Sequence, residues 1–309
     1  ECIQGMKNIK LLIEYDGTNY SGWQRQTNAL SVQQVLEEAL FKLTGENVTV
    51  IGSGRTDSGV HARGQVANFF TASAIPPDRF SYALNTLIPS DIRVLDSGEV
   101  PGDFHARYSA VAKRYKYSIF MRAQAPAIGR NYYYHIPDRL DVDAMKAAVR
   151  YIIGTHDFKA FQSSGGSQKS TVRTVYEASW ELQSPDCLYF NIKGNGFLYN
   201  MVRIIVGTLV YVGKGKLPES ITEEMLAAKD KETLKRCISA GVLPTVFQRD
   251  DIEMETFKRR EAGTGLYLDK ETGELVSYTE MKAKGGLEQE NLDVKREAPI
   301  KPYFERDVI

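Results

Sequence analysis

The densest concentration of chemically capable side chains is the run Gly52-Ser53-Gly54-Arg55-Thr56-Asp57-Ser58-Gly59-Val60-His61-Ala62. Its glycines open backbone conformations closed to other residues and let a ligand come close to the main chain. A single carboxylate presented by such a loop after a strand suits a nucleophile or a base, with Asp57 as the candidate. A plain turn, whose aspartate only bonds its own backbone, is the competing reading of this spacing.

Two further stretches offer functional groups. In Gly194-Asn195-Gly196-Phe197-Leu198-Tyr199-Asn200-Met201-Val202-Arg203-Ile204-Ile205, Arg203 is the one charge between Phe197 and Gly213. A guanidinium on so apolar a helix calls for an anionic partner, from the chain or a ligand, unless it snorkels to the surface. In Lys113-Arg114-Tyr115-Lys116-Tyr117, strand alternation puts the two tyrosines on one face and Arg114 and Lys116 on the other. Aromatic rings beside cations suit stacking on nucleic-acid bases, and equally suit a tyrosine-filled core.

The elements that must position these groups are legible from periodicity. Ile9–Tyr15 reads as a strand closed by Asp16-Gly17. Ser31 and Gln34 form a capping-box pattern ahead of a helix whose apolar face carries Val32, Val35, Leu36, Ala39, Leu40 and Leu43, with Gly45 just past its end. Val48–Ser53 and Gln65–Phe70 read as strands flanking the glycine-rich turn. The second half repeats the order: a strand at Arg114–Phe120, a helix capped by Asp141 and ending at Gly154, strands at Val172–Leu182 and Leu188–Lys193, then an almost wholly apolar helix at Tyr199–Val212. Strand-helix-strand-strand, given twice, predicts an α+β fold of two related halves with largely antiparallel strands.

Composition narrows the function classes. The 309 residues carry 39 basic and 39 acidic side chains, which argues against a protein that coats nucleic acid by bulk charge. Residues 1–250 hold 29 basic and 25 acidic side chains, residues 251–309 hold 10 and 14. That asymmetry fits an RNA-binding body with an acidic tail, and fits other proteins too. Cys2, Cys187 and Cys237 are far apart and make neither a zinc pattern nor a disulfide framework, in keeping with a cytoplasmic address. No apolar run is long enough for a membrane span, and Glu1–Gly5 reads as an extension before Met6. Gly263-Thr264-Gly265 lacks the third glycine and the setting of a dinucleotide site, and His105, His135 and His156 have no metal-ligand spacing.

Taken together, these segments resemble the TruA-type tRNA pseudouridine synthases. Gly54–Ala62 (GRTDSGVHA) is similar to that family's active-site motif, and Tyr15–Gln26 (YDGTNYSGWQRQ) to its N-terminal motif. KRYKY (113–117), GTHDFKAF (154–161), RTV (173–175) and GNGFLYNMVRIIVGTL (194–209) follow in the family's order. The resemblance covers about residues 6–230. It implies a large, mostly antiparallel sheet from two ferredoxin-like halves, flanking helices and a central cleft. The implied halves are 6–108, with the catalytic loop, and 109–268, followed by a weakly structured charged tail at 269–309. It also implies an isomerase that converts uridines 38, 39 and 40 of the tRNA anticodon stem-loop to pseudouridine, as a homodimer, with no metal and no nucleotide cofactor.

Carried over residue by residue, the resemblance places the catalytic carboxylate at Asp57, its guanidinium partner at Arg203 and the base-facing ring at Tyr115, with Arg55 and His61 along the RNA path. An Asp57–Arg203 pair would keep the carboxylate ionised and offset the desolvation of both groups. The target uridine would flip into the cleft. Asp57 would then open the glycosidic bond, by attack on sugar or base or by removal of a sugar proton. One departure stands out: Gly265-Leu266-Tyr267-Leu268 follows a charged stretch, 231–262, longer than the family's usual segment. A catalytically inactive RNA-binding protein or RNA chaperone of the same fold is the main alternative, and a nucleosidic hydrolase the second.

Overall fold

In the computed structural model, the described residues are 5–163, 170–228, 266–268 and 275–277. The N-terminal half opens with β1 (Lys7–Tyr15), whose alternate residues Ile9, Leu11 and Ile13 are fully buried. Helix α1 (Val32–Thr44) lays Val32, Leu36 and Leu40 into the same core. Ser31 Oγ accepts from Gln34 N, and Gly45 closes the helix in the left-handed conformation, as its sequence predicts. Gln34 does not reach back to complete the box; its amide donates to Glu38 instead.

Strands β2 (Ile51–Gly52), β3 (Ala62–Thr71) and β4 (Ile92–Val100) complete a four-stranded antiparallel sheet in the order β2-β3-β1-β4. Helix α2 (Phe80–Asn85) packs Phe80 edge-on against Phe69 of β3. The strand expected over Val48–Ser53 shrinks to Ile51–Gly52. Val50 explains this: its N–H donates to Glu37 Oε1 and its carbonyl accepts from Gln33 Nε2, so α1 rather than a ladder satisfies its backbone.

The C-terminal half holds β5 (Lys113–Met121), β6 (Tyr134–Ile136), β7 (Gly154–Asp157), β8 (Val172–Ser184) and β9 (Cys187–Gly194), in the order β6-β5-β9-β8-β7. All neighbours are antiparallel except β5 and β6. Helices α3 (Val142–Val149), α4 (Met201–Gly213) and α5 (Ile221–Ala228) share one core with the buried face of this sheet. Asp141 caps α3 by accepting from Asp143 N and Ala144 N. That helix stops at Val149 and passes through a tighter turn before Gly154, which instead begins β7.

The α+β, antiparallel-dominated architecture of the pseudouridine synthases is therefore present, with its ladders running as two sheets, one per half. Leu266–Leu268 of the GLYL run form a strand, β10, paired with β11 (Leu275–Ser277). The stretch 231–262, and the tail from 269 apart from β11, lie outside the described residues. Among the described residues no helix is long and apolar enough to cross a membrane.

Candidate active site

The loop carrying Asp57 is built on the segment Tyr15–Gln26. Tyr15 Oη and Thr56 Oγ1 form a buried hydrogen bond of 2.8 Å. Trp23 N donates to Thr56 O at 3.1 Å, and Gly59 N to Tyr20 O at 3.1 Å. Two contacts are close enough to exclude any side chain. A Cβ on Gly17 would lie 2.0 Å from Val60 O, and one on Gly22, whose φ is +86°, would lie 2.3 Å from Thr56 O. From the other side Gln65 Nε2 donates to Gly54 O at 2.8 Å, and Ser53 N to Val66 O at 2.8 Å, tying the loop to β3.

So held, the loop turns its carboxylate outward. Asp57 and Arg55 are exposed, while Thr56 between them is buried. Arg55 Nε donates to Gln24 Oε1 at 3.1 Å. Gln24 continues to Gln33 and Gln33 to Glu37, a polar chain rooted in α1. Three residues past Asp57, Val60 enters the core of the C-terminal half, in one cluster with Leu198, Met201 and Val202. The loop thereby joins the two halves.

Tyr115 is half-buried on β5 and packs against that same core. The ring of Phe197 meets it edge to face, with centroids 5.1 Å apart and planes at 89°. Arg203 is half-buried on the first turn of α4. Asn200, just ahead of it, adopts a left-handed φ of +57°, the one such non-glycine among the described residues, and donates to Ser163 Oγ at 3.2 Å. Asparagine carries this conformation more readily than other side-chain-bearing residues.

The direct Asp57–Arg203 ion pair expected from the sequence is not formed: among the described residues, no salt bridge within 4.0 Å joins them. The physical reason is exposure. A water-facing carboxylate needs no neutralising partner, whereas a desolvated one does. His61 is 2% exposed, and it borders a cleft together with Arg63 and Lys116. Nδ1 lies 2.9 Å from Asp16 Oδ1 and 3.1 Å from Gly17 N, which are alternatives: a protonated nitrogen donates to the carboxylate, a bare one accepts from the amide. Nε2 faces Asn131 O at 3.2 Å and the ring packs on Tyr132.

Asp16, read from the sequence only as a turn residue, anchors this cluster. Burial pushes its carboxyl up, but hydrogen bonds from Thr18 and Tyr132, with the His61 ring nearby, outweigh it and hold the group below its ordinary value. The Tyr132 phenol is pushed up in turn, first by its bond to Asp16 and then by burial. The Asp-Gly and Ser-Gly pairs of the N-terminal motif were the available signal, since both mark places where backbone must bend or approach closely.

With this geometry in view, comparison with known proteins is decisive. The family model for tRNA pseudouridine synthase matches residues 11–109 and 147–244. The chain is 54% identical to tRNA pseudouridine synthase A of Clostridium kluyveri over 226 residues, which are 73% of this chain and 92% of that protein. The tRNA pseudouridine synthase A of Acetivibrio thermocellus is 52% identical over 235 residues, 76% of this chain and 96% of that protein. The chain belongs to the tRNA pseudouridine synthase family. Arg55, Asp57, His61 and Arg203 of this synthase lie inside the matched segments, and Tyr115 lies between them. As a pseudouridine synthase it is an isomerase: atoms are rearranged within the substrate and none is gained or lost.

Proposed function

We propose that this synthase acts on uridines 38, 39 and 40 of the tRNA anticodon stem-loop, with Asp57 as its catalytic carboxylate. The observation that carries the assignment of Asp57 is its presentation: a solvent-facing carboxylate on a loop otherwise pinned by buried hydrogen bonds and close backbone contacts. A flipped uridine would meet the Tyr115 ring, which Phe197 braces from the side. As the base covers the loop, water leaves Asp57, and Arg203 becomes its counter-charge in the substrate-bound state.

The reaction balances without an added reagent. The N1–C1′ bond breaks, the uracil turns within the closed site, C5 bonds to C1′, the C5 proton departs and N1 takes one up. Asp57 starts the first step. The reading includes a homodimer, a cytoplasmic address, a boundary between the halves near residue 108 and a charged tail from 269, of which β11 pairs back on β10. The test is tritium release from tRNA labelled at C5 of uridine. Release, with pseudouridine in the product, supports the assignment. Binding without release would favour an RNA-binding module, and free uracil would indicate a hydrolase.

A further inference from the structure

A cleft of about 460 Å³ opens between the two sheets, and it is not lined by Asp57, Tyr115 or Arg203. Its floor follows from strand alternation. Tyr115 and Tyr117 of β5 turn toward the helices and their core, so Lys116 and Ser118 turn the other way, toward the helix-free face. Tyr189 of β9 pairs with Ser118 in the ladder and joins them there. The opposite wall is Glu14 of β1 and Arg63 of β3, and the segment between β5 and β6 supplies Tyr132 and Tyr133.

The chemistry of this lining is specific. Lys116 Nζ stands 4.6 Å from the centre of the Tyr189 ring, and the hydroxyls of Tyr133 and Tyr189 are 3.5 Å apart. Burial pushes the Tyr189 phenol up, so it stays a neutral donor. Arg114 and Lys193 lie on the same face of the sheet, each near Glu177, at 3.6 Å and 3.9 Å. The basic side of the cleft therefore continues along the sheet. Two cations suit a phosphate, phenol rings suit a base plane, and the exposed Glu14 carboxylate can accept from base N–H groups. A simple anion would gain nothing from the rings or from Glu14, and an apolar ligand nothing from the charges. The volume is in the range of sites for ligands of nucleotide size.

We propose that this cleft is a second nucleotide-binding site, which holds one nucleotide of the RNA other than the target uridine, with its phosphate toward Arg63 and Lys116. The proposal rests on the reading of this chain as acting on tRNA. It also gives the residues at and just past the end of the active-site motif a function: Asp57 and Arg63 are six residues apart in sequence, and His61, between them in the chain, lines the cleft. RNA seated in the cleft would bear on the strand that leads out of the catalytic loop.

The test compares wild type with the double variant Arg63→Gln/Lys116→Gln on tRNA. The expected result is a KM for tRNA raised roughly tenfold or more, with kcat within about twofold. The slope of log affinity against log salt should also shrink by roughly 0.7 for each cation that meets a single-stranded phosphate. Arg139→Gln, an exposed cation paired with Asp186 elsewhere, should change neither. An unchanged KM and salt slope would overturn the proposal. So would a fall in kcat at constant KM, or a changed sedimentation mass marking the cleft as a contact between copies of the chain. Wild-type protein that binds tRNA with the full salt slope but releases no tritium would instead refute the isomerase reading. In that case the binding comparison still decides the cleft.

Discussion

The hydroxyls of Tyr15 and Thr56 meet at 2.8 Å inside the protein, and through that bond the first strand sets the position of the residue next to Asp57. Tyr15→Phe removes the bond while keeping the ring in its core. The stranded Thr56 hydroxyl should cost about 1–2 kcal/mol, read as a lower urea midpoint. Because the loop loses its tether beside the carboxylate proposed to react, kcat should fall further than KM rises, which steady-state tritium release checks.

Gly22→Ala is predicted to be far more damaging to turnover than a surface glycine substitution such as Gly98→Ala. The new methyl would sit 2.3 Å from Thr56 O, whereas a Cβ at Gly98 meets nothing within 4 Å. A displacement of the loop by about 1 Å can cost on the order of 100-fold in rate. Measurement of kcat for the two variants separates the effect of loop position from a general cost of replacing glycine.

Asp16 should give the fold a distinct acid limit. Its carboxyl is held below the ordinary 3.8, so its stabilising contribution is fully present above that pH and is lost as pH falls through the lower folded value. Asp16→Asn should therefore be less stable than wild type at pH 7, and the gap between them should close below about pH 3.8. Urea midpoints of both proteins from pH 7 downward check this. A gap that stays constant would remove Asp16 from the linkage.

Arg203→Lys keeps the charge and gives up the planar fork that fits a carboxylate. Asp57 faces water in the free protein, so the change leaves its carboxylate hydrated. Rate should suffer more than folding: kcat at least about tenfold lower, with the unfolding midpoint shifted by less than about 1 kcal/mol. Parallel kinetics and urea titration check this.

Legibility from sequence followed the strength of the local signal. Helix α1 could be read to its ends because cap, apolar stripe and terminal glycine agree, and α4 because nothing else fits so apolar a run. Strand β4 was missed because after Ile92 and Val94 it runs Leu-Asp-Ser-Gly-Glu, a turn-like composition tolerated on an edge strand that pairs only with β1. Strand β6, three residues long, exists only because β5 offers it a parallel edge. In the site, Asp57, Tyr115 and Arg203 could be singled out by residue type. The support beneath them could not, because Tyr15, Gly17 and Gly22 act through contacts 34 to 43 residues away in sequence that no local pattern records.

The most direct test of the account is Asp57→Asn assayed for tritium release from C5-labelled tRNA, with tRNA affinity measured in parallel. The change is nearly isosteric at an exposed position, so folding and binding should persist while release drops to background. Near-normal release by this variant would contradict the role of Asp57 and the mechanism built on it.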